Sequence, residues 1–125
     1  MARSRASAKQ AGTAFETAIA KYLAETLDDD RIERRARSGA QDRGDIGGVR
    51  VHGQRLVIEA KDYGGQIKAA EWTREAQIEM GNDGALAGVV VAKRRGTRDP
   101  GAQWVLMTVN DLVAFLSGSR PDSDL

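Results

Sequence analysis

The sequence has no cysteine, one histidine and two prolines among 125 residues, and only two each of Phe, Tyr and Trp. The lack of cysteine excludes disulfides, thiol catalysis and cysteine-ligated zinc, and one histidine is too few for the usual imidazole zinc sites. Apolar runs of membrane-spanning length are also lacking, and the Arg- and Ser-containing start does not lead into a signal-peptide core. Arginine outnumbers lysine, and Ala and Gly are abundant, as in GC-rich genomes. We therefore expect a cytoplasmic, bacterial or phage-encoded protein without a membrane partner.

Neither sign of charge is in excess, since 19 basic residues nearly balance 18 acidic ones and the net charge is +1. The basic residues are nevertheless clustered beside predicted strands, where they can contact the phosphates of DNA. The predicted DNA-binding residues of these clusters are Arg35, Arg37, Arg43, Lys93, Arg94, Arg95 and Arg98. Solvated loops are the alternative interpretation of each cluster.

Apolar periodicity divides the chain into a central domain and two polar ends. Apolar residues at three- and four-residue spacing predict an amphipathic helix over residues 10–27. Residues 1–9 lack this periodicity, so we predict a mobile basic arm there and a mobile polar tail over residues 118–125. No internal repeat or linker interrupts residues 10–117, which we predict to form a single domain.

The patterns within this domain alternate between helix and strand. Val89, Val90 and Val91 form a continuous apolar run, which is typical of a central strand buried on both faces. The predicted order is helix 10–27, edge strand 31–37, two hairpin strands, helix 66–80, strand 85–92, strand 103–109 and a last helix from Asn110. The stripe of the second helix comprises Ala69, Trp72, Ala76 and Met80. We therefore predict an α/β fold with a mixed central sheet flanked by helices.

One stretch combines a turn signal with three charged residues. His52-Gly53-Gln54 separates two runs rich in Val, Ile and Leu, which predicts an antiparallel hairpin with a turn at this point. Because such a hairpin brings its outer ends together, Asp45 is predicted to lie near Glu59 and Lys61. Side chains alternate along a strand, so Glu59 and Lys61 share one face while Ala60 points to the other.

These three charged residues suit hydrolysis of a phosphodiester bond. Two neighbouring carboxylates repel each other, and a bound cation that prefers oxygen ligands relieves the repulsion. Mg²⁺ is the natural candidate, with Mn²⁺ as a substitute. A lysine beside the cation can orient or deprotonate a water, or stabilise negative charge on a phosphate. The alternative is purely structural, because an acid before a strand and a Glu-X-Lys strand end also occur by chance.

Asp45 followed by Glu59-Ala60-Lys61 resembles the active-site signature of the PD-(D/E)XK nuclease superfamily, with Gly44 where the family customarily has proline. A longer ordered set, which covers about the first half of the chain, is similar to archaeal-type Holliday-junction resolvases. This set comprises Gly12-Thr13-Ala14-Phe15-Glu16, Arg37-Ser38-Gly39, Asp45-Ile46 and Glu59-Ala60-Lys61. The resemblance implies the restriction-endonuclease-like αβββαβ core.

The resemblance also implies roles for individual residues. The implied metal ligands are Glu16, Asp45, Glu59 and Ala60, and the implied catalytic residues are Asp45, Glu59, Lys61, Glu16 and Ser38. Ser38 is expected near the scissile phosphate and Lys61 beside the attacking water. Gln77 is similar to a helix glutamine near the site of RecB-type nucleases and is a further candidate for DNA binding. The alternatives are a surface glutamate paired with an arginine for Glu16 and an ordinary loop serine for Ser38.

These inferences predict a magnesium-dependent DNA endonuclease that resolves Holliday junctions in DNA recombination and repair. The predicted partner is branched DNA, and the predicted assembly is a homodimer, which suits symmetric cutting of two strands. A RecB-type exonuclease and a Mrr-like restriction nuclease are the alternative enzymes. A non-catalytic DNA-binding module on the same fold is the alternative from another class.

Overall fold

The structure, a computed structural model, describes residues 3–35 and 41–122. Its elements are α1 (Arg5–Thr26), β1 (Glu33–Arg34), β2 (Ile46–Gly47), β3 (Arg50–Val51), β4 (Gln54–Lys61), α2 (Ala69–Asp83), β5 (Ala87–Ala92), β6 (Trp104–Leu106) and α3 (Val109–Ser117). A short 3-10 helix, Pro100–Ala102, precedes β6. Within the described ranges, no helix is both long enough and apolar enough to cross a bilayer.

The strands form one mixed sheet with the order β1-β2-β4-β5-β6, and β3 pairs with β4 outside this path. β4 and β5 run parallel, while the other pairs are antiparallel. Every residue of β5 is buried, as the apolar run around Val90 predicted for a central strand. The predicted α/β class with a mixed, helix-flanked sheet is confirmed.

The helices α1 and α2 cover opposite faces of the sheet. Ile19 of α1 shares one buried cluster with Ala60 of β4, and Trp72 of α2 shares a second cluster with Val90 of β5. Because side chains alternate along β4, its Glu59 points away from the Ala60 cluster and towards α2. The predicted separation of these two neighbours onto different faces of the sheet is confirmed.

The hairpin between β3 and β4 turns at His52 and Gly53, whose φ angles of 53° and 72° are the left-handed values that a two-residue turn requires. This confirms the predicted turn. The strand before it is interrupted, however, because Gly48 has a φ of 84° and separates β2 from β3. A Cβ atom at Gly48 would lie 2.1 Å from the carbonyl oxygen of Arg31, so only glycine fits there.

The first helix begins earlier than the periodicity indicated, at Arg5 instead of about residue 10. The Ser4 hydroxyl accepts a hydrogen bond from the Ser7 amide at 3.1 Å and caps the helix. Residues 5–9, which lie in the predicted mobile arm, therefore belong to α1. Arg, Ala and Lys in this stretch are strong helix formers, and they need no apolar face to extend a helix whose later turns pack on the sheet.

The chain after α3, which falls in the predicted mobile tail, contacts the domain through Arg120. Its Nη1 atom lies 2.6 Å from Oδ1 of Asp111 and donates to the Leu86 carbonyl at 3.2 Å. The Arg120 side chain is only 8% exposed, and that of Asp111 is fully buried. Asp111 lies in the first turn of α3 and Arg120 follows its last turn, so this buried ion pair links the two ends of the helix. Asp111 also accepts a hydrogen bond from the Gly88 amide of β5.

Replacing Arg120 with alanine is expected to destabilise the fold by about 3 kcal/mol, because it leaves the buried Asp111 carboxylate without its cation. Urea denaturation followed by circular dichroism measures the loss. Asp122→Asn is the matched control, since it removes only the more exposed partner of Arg120 and is expected to cost less than about 1 kcal/mol. Equal urea midpoints for both variants would contradict this account of the tail.

Candidate active site

The carboxylate of Asp45 is fixed against β4 by the hairpin, as the sequence predicted. Its amide donates to the Ile58 carbonyl at 2.8 Å, and its Oδ2 atom accepts a hydrogen bond from the Ala60 amide at 2.9 Å. Asp45 is buried, and its carboxyl also lies within hydrogen-bonding reach of Glu59. The predicted acids Asp45 and Glu59 are therefore neighbours. The main-chain amide of Ala60 orients the Asp45 carboxylate.

Glu59 lies at the centre of a group of carboxyls on the α2 side of the sheet. Burial, followed by the hydrogen bond and the charge of Glu79, raises the pKa of Glu59 from 4.5 to about 8, against the opposing effects of Asp45 and Lys61. A carboxyl with this pKa takes up a proton near neutral pH unless a cation replaces it.

The carboxyls in this region fit a divalent cation. Oxygen atoms of Asp42, Glu59 and Glu79 all lie within 4.8 Å of one another. Hard oxygen donors in such a cluster are the ligands that Mg²⁺ and Mn²⁺ prefer. Because Asp45 also reaches Glu59, up to four carboxyls surround one small volume beside β4.

Lys61 ends β4 next to these acids and is held by a new partner on α2. Its Nζ atom donates to Oε2 of Glu75 at 2.6 Å, and the side chain is only 11% exposed. Burial by itself lowers the pKa of Lys61, but the hydrogen bond to Glu75 and the charges of Glu59 and Glu75 raise it above the ordinary value. Lys61 is therefore a cation near neutral pH, which suits charge stabilisation and not proton abstraction.

Glu16 lies on the other side of the sheet from Glu59, because α1 packs on the Ala60 face. Its buried Oε2 atom accepts a hydrogen bond from Nε of Arg34 at 2.8 Å. The three carboxylates that converge do not include Glu16. Glu16 thus has the arginine partner of the alternative interpretation, although it is buried, and it lines one groove together with Ala60 and Lys61.

A groove of about 1070 Å³ opens at the carboxyl end of β4. Ala60 and Lys61 form part of its wall, so the groove reaches the end of the strand that carries Glu59. Its basic lining residues are Arg3, Lys9, Arg34, Lys61 and Arg95, and its acidic ones are Glu16 and Asp62. The surplus of positive charge makes this groove complementary to a polyanion.

The predicted DNA-binding residues after β5 differ in whether their side chains are free to contact a ligand in the groove. Arg95 is exposed and lines the groove. The guanidinium of Arg94 stacks on the Trp104 ring at 4.4 Å, and Nζ of Lys93 donates to the carbonyl of Thr97 at 2.5 Å. Of these three, Arg95 is thus the one placed to meet a ligand in the groove.

The remaining predicted DNA-binding residues are more scattered. Arg98 and Arg43 are exposed. Arg35 is engaged internally, since Nη1 donates to the Arg43 carbonyl at 2.7 Å and lies 3.8 Å from Oδ1 of Asp83. The predictions for Arg37 and Ser38 lie outside the described residues.

Gln77 is not at the candidate site. Its Nε2 atom donates to Oδ2 of Asp111 at 2.9 Å, and its Oε1 atom accepts from Arg120 at 3.4 Å. Both ends of the amide therefore link α2 to α3 and to the following segment. The expected contact of this glutamine with DNA is replaced by a structural role, because the side chain belongs to the polar network around Asp111.

Two acids of α2, Glu75 and Glu79, were not predicted to belong to the site. The sequence carried a signal for one of them. The buried row of α2 starts at Trp72 and Ala76 and continues through Glu79, whereas the apolar stripe suggested Met80. Glu79 comes three residues after Ala76 and seven after Trp72, so it lies on the same helix face and is buried with them. Burial of its carboxyl costs free energy unless a partner compensates it.

The residues brought together are Asp45, Glu59 and Lys61, as predicted, with Glu75, Glu79 and Asp42 in addition. They combine hard oxygen donors with a lysine cation, Lys61, which lines the basic groove. The arrangement can bind a divalent cation and stabilise negative charge on a phosphate next to it. Family models, curated proteins and solved structures were each compared with the chain, and none of them matches.

Proposed function

We propose that the protein is a metal-dependent DNA endonuclease with the restriction-endonuclease-like fold of the PD-(D/E)XK superfamily. The observation that carries the proposal is the placement of Asp45, whose carboxylate is held on the Ala60 amide beside buried Glu59. The Lys61 ammonium lies one residue further along, at the groove. Few structural roles need two neighbouring buried acids and a lysine at the end of one strand.

The element order supports the finer fold assignment. The order is a helix, strand β1, a second strand that Gly48 divides into β2 and β3, the long strand β4, a helix and the parallel strand β5. With β2 and β3 counted as one strand, this is the αβββαβ order that the resemblance implies. The site lies where β2 meets the carboxyl end of β4. This is the edge at which the hairpin signature was expected to place it.

Asp45 and Glu59 would hold the cation, which is Mg²⁺ with Mn²⁺ as a substitute. When bound, it neutralises charge on the phosphate and activates a water for attack on the phosphorus. The Ala60 amide orients the Asp45 carboxylate, and the Lys61 ammonium stabilises the charge that develops on the phosphoryl oxygens. A water oxygen forms the new bond to phosphorus, the P–O3′ bond breaks, and the leaving oxygen takes a proton from solvent.

The basic groove is the proposed binding surface for DNA. Arg95→Ala is expected to lower DNA affinity several-fold and to reduce the slope of log K against log salt by about 1, because one phosphate contact is lost. Fluorescence anisotropy at several salt concentrations measures both quantities. Arg74→Ala is the control, since Arg74 is exposed on α2 and does not line the groove. The same salt slope for Arg95→Ala and wild type would argue against this surface.

Branched DNA and a homodimer are part of the same proposal. Val109, Leu112 and Leu116 are exposed at helical spacing on α3 and offer an apolar stripe to a second copy of the chain.

The test is a panel of labelled substrates incubated with the full chain and Mg²⁺. Paired symmetric nicks in a four-way junction are the expected result. Degradation from the ends of linear or single-stranded DNA would move the assignment to the RecB-type exonuclease, and cutting of linear duplex at fixed sequences to the Mrr-like nuclease. Binding without metal-dependent cutting would leave the non-catalytic DNA-binding module.

A further inference from the structure

Glu79 of α2 has a buried carboxyl oxygen that the protein itself leaves without a hydrogen bond. The residue is only 8% exposed. Its Oε2 atom is the single buried side-chain nitrogen or oxygen without a hydrogen-bond partner among residues 3–35 and 41–122. Burying a carboxylate oxygen in this way costs free energy unless a ligand or a proton occupies the position next to it.

Asp83, one turn further along the same buried row, is an acid whose charge is compensated by arginines. It is as well buried as Glu79, but its Oδ2 atom lies 3.5 Å from Nε of Arg55 and its Oδ1 atom lies 3.8 Å from Nη1 of Arg35. The two acids share a helix face and a degree of burial. They differ because arginines surround Asp83, whereas other carboxyls surround Glu79.

The groups that face Glu79 are oxygen donors from two other segments of the chain. Oxygen atoms of Glu59 on β4 and of Asp42 in the preceding loop lie within 4.8 Å of Glu79 and of each other. Asn82 of α2 donates from Nδ2 to the Asp42 carbonyl at 2.9 Å. The helix therefore fixes the loop that carries Asp42, and the three carboxylates are held in place before any ligand arrives.

We propose that Glu79, Glu59 and Asp42 form a divalent-cation site on the α2 side of β4, in which α2 supplies a ligand that the hairpin signature does not contain. The cation class is Mg²⁺ or Mn²⁺, because all three donors are hard carboxylate oxygens. Glu59 is a ligand of this site and also lies within hydrogen-bonding reach of Asp45, so it belongs both to this site and to the Asp45–Glu59 pair. A role of this site in hydrolysis depends on the proposed function. Cation binding does not depend on it, because it is inferred from the geometry of the three acids.

Titration of the metal-free full chain with Mn²⁺, without DNA, tests this site by calorimetry and by the shift in melting temperature. Glu79→Gln keeps the shape of the side chain and is expected to weaken Mn²⁺ binding by at least about tenfold. Glu71→Gln, which removes an exposed acid from the first turn of the same helix, is expected to bind as wild type does. Asp42→Asn, in a half-buried loop, is a second variant with the same expected loss.

The outcomes separate this site from the proposed function. Wild-type Mn²⁺ affinity in both Glu79→Gln and Asp42→Asn would overturn the site, and DNA cleavage by the wild type would then leave the nuclease proposal intact. Loss of binding in both variants, together with no cleavage of DNA by the wild type, would establish the cation site and overturn the nuclease proposal. Absence of Mn²⁺ binding by the wild type would also overturn the site.

Discussion

Lys61→Ala is expected to slow DNA cleavage about 10²–10³-fold, the range found when one preorganised donor to a developing oxyanion is removed. The ammonium is held by Glu75 at 2.6 Å, and the side chain is largely excluded from water. A charge fixed in such surroundings is worth more to a transition state than the same charge in water, because nothing has to reorganise when the phosphate reacts.

Single-turnover cleavage rates, with DNA affinity measured in parallel, test this role of Lys61. Affinity is expected to change only about threefold, since one of several basic residues along the groove is lost. Lys21→Ala on the exposed side of α1 removes the same charge and is expected to cleave at the wild-type rate. A Lys61→Ala variant that cleaves as fast as Lys21→Ala would remove the lysine from the mechanism.

Glu59→Gln is expected to stabilise the metal-free protein at about pH 8.5, even though it removes a proposed ligand. The pKa of Glu59 is raised from 4.5 to about 8, so the folded protein binds this proton more tightly than the unfolded chain does. The stabilisation from that proton is complete below the unfolded pKa and is lost as pH rises through about 8. Glutamine resembles the protonated acid and retains the stabilisation at every pH.

The expected gain is about 2–4 kcal/mol at alkaline pH, given about 1.4 kcal/mol for each pKa unit and the coupling of Glu59 to Glu79. Urea denaturation in EDTA at about pH 5.5 and about pH 8.5 measures it, with a gain of only about 1 kcal/mol expected at the lower pH, which lies about one unit above the unfolded pKa. Glu25→Gln, exposed on α1, is the control and is expected to change neither value. A Glu59→Gln variant that is less stable than wild type at both pH values would contradict the raised pKa.

Asp29 does not interfere with this measurement. Hydrogen bonds from Arg31 lower the pKa of Asp29 to about 2, so its contribution changes only in acid. Titration of Asp29 therefore does not contribute to a stability change between about pH 5.5 and about pH 8.5.

The parts of the site that the sequence predicted are those that depend on local geometry. A hairpin needs only a turn signal and two strands, so His52 and Gly53 were enough to bring Asp45 to β4. The twofold period of a strand then placed Glu59 and Ala60 on opposite faces. The Val90 run similarly predicted a central strand, because burial on both faces leaves no polar positions.

The parts that the sequence did not predict depend on packing between distant segments. Glu79 and Met80 are neighbours on α2, and hydrophobicity favours the methionine as the core residue. Rotation of the helix around Trp72 buries the glutamate instead, which the composition of α2 alone does not determine. The ion pair of Arg120 was not predicted for a similar reason, since nothing in the polar sequence of the tail indicates that Asp111 is buried beside it.

Single-turnover hydrolysis of a labelled four-way junction by the wild type and by Asp45→Asn, in Mg²⁺ and in EDTA, tests the central claim most directly. Asp45→Asn keeps the hydrogen bond to the Ala60 amide and removes only the charge. We expect cleavage by the wild type in Mg²⁺ alone, and a rate at least about 100-fold lower in the variant with DNA binding retained. Equal cleavage by both proteins, or no metal-dependent cleavage by the wild type, would contradict a hydrolytic centre at Asp45 and Glu59.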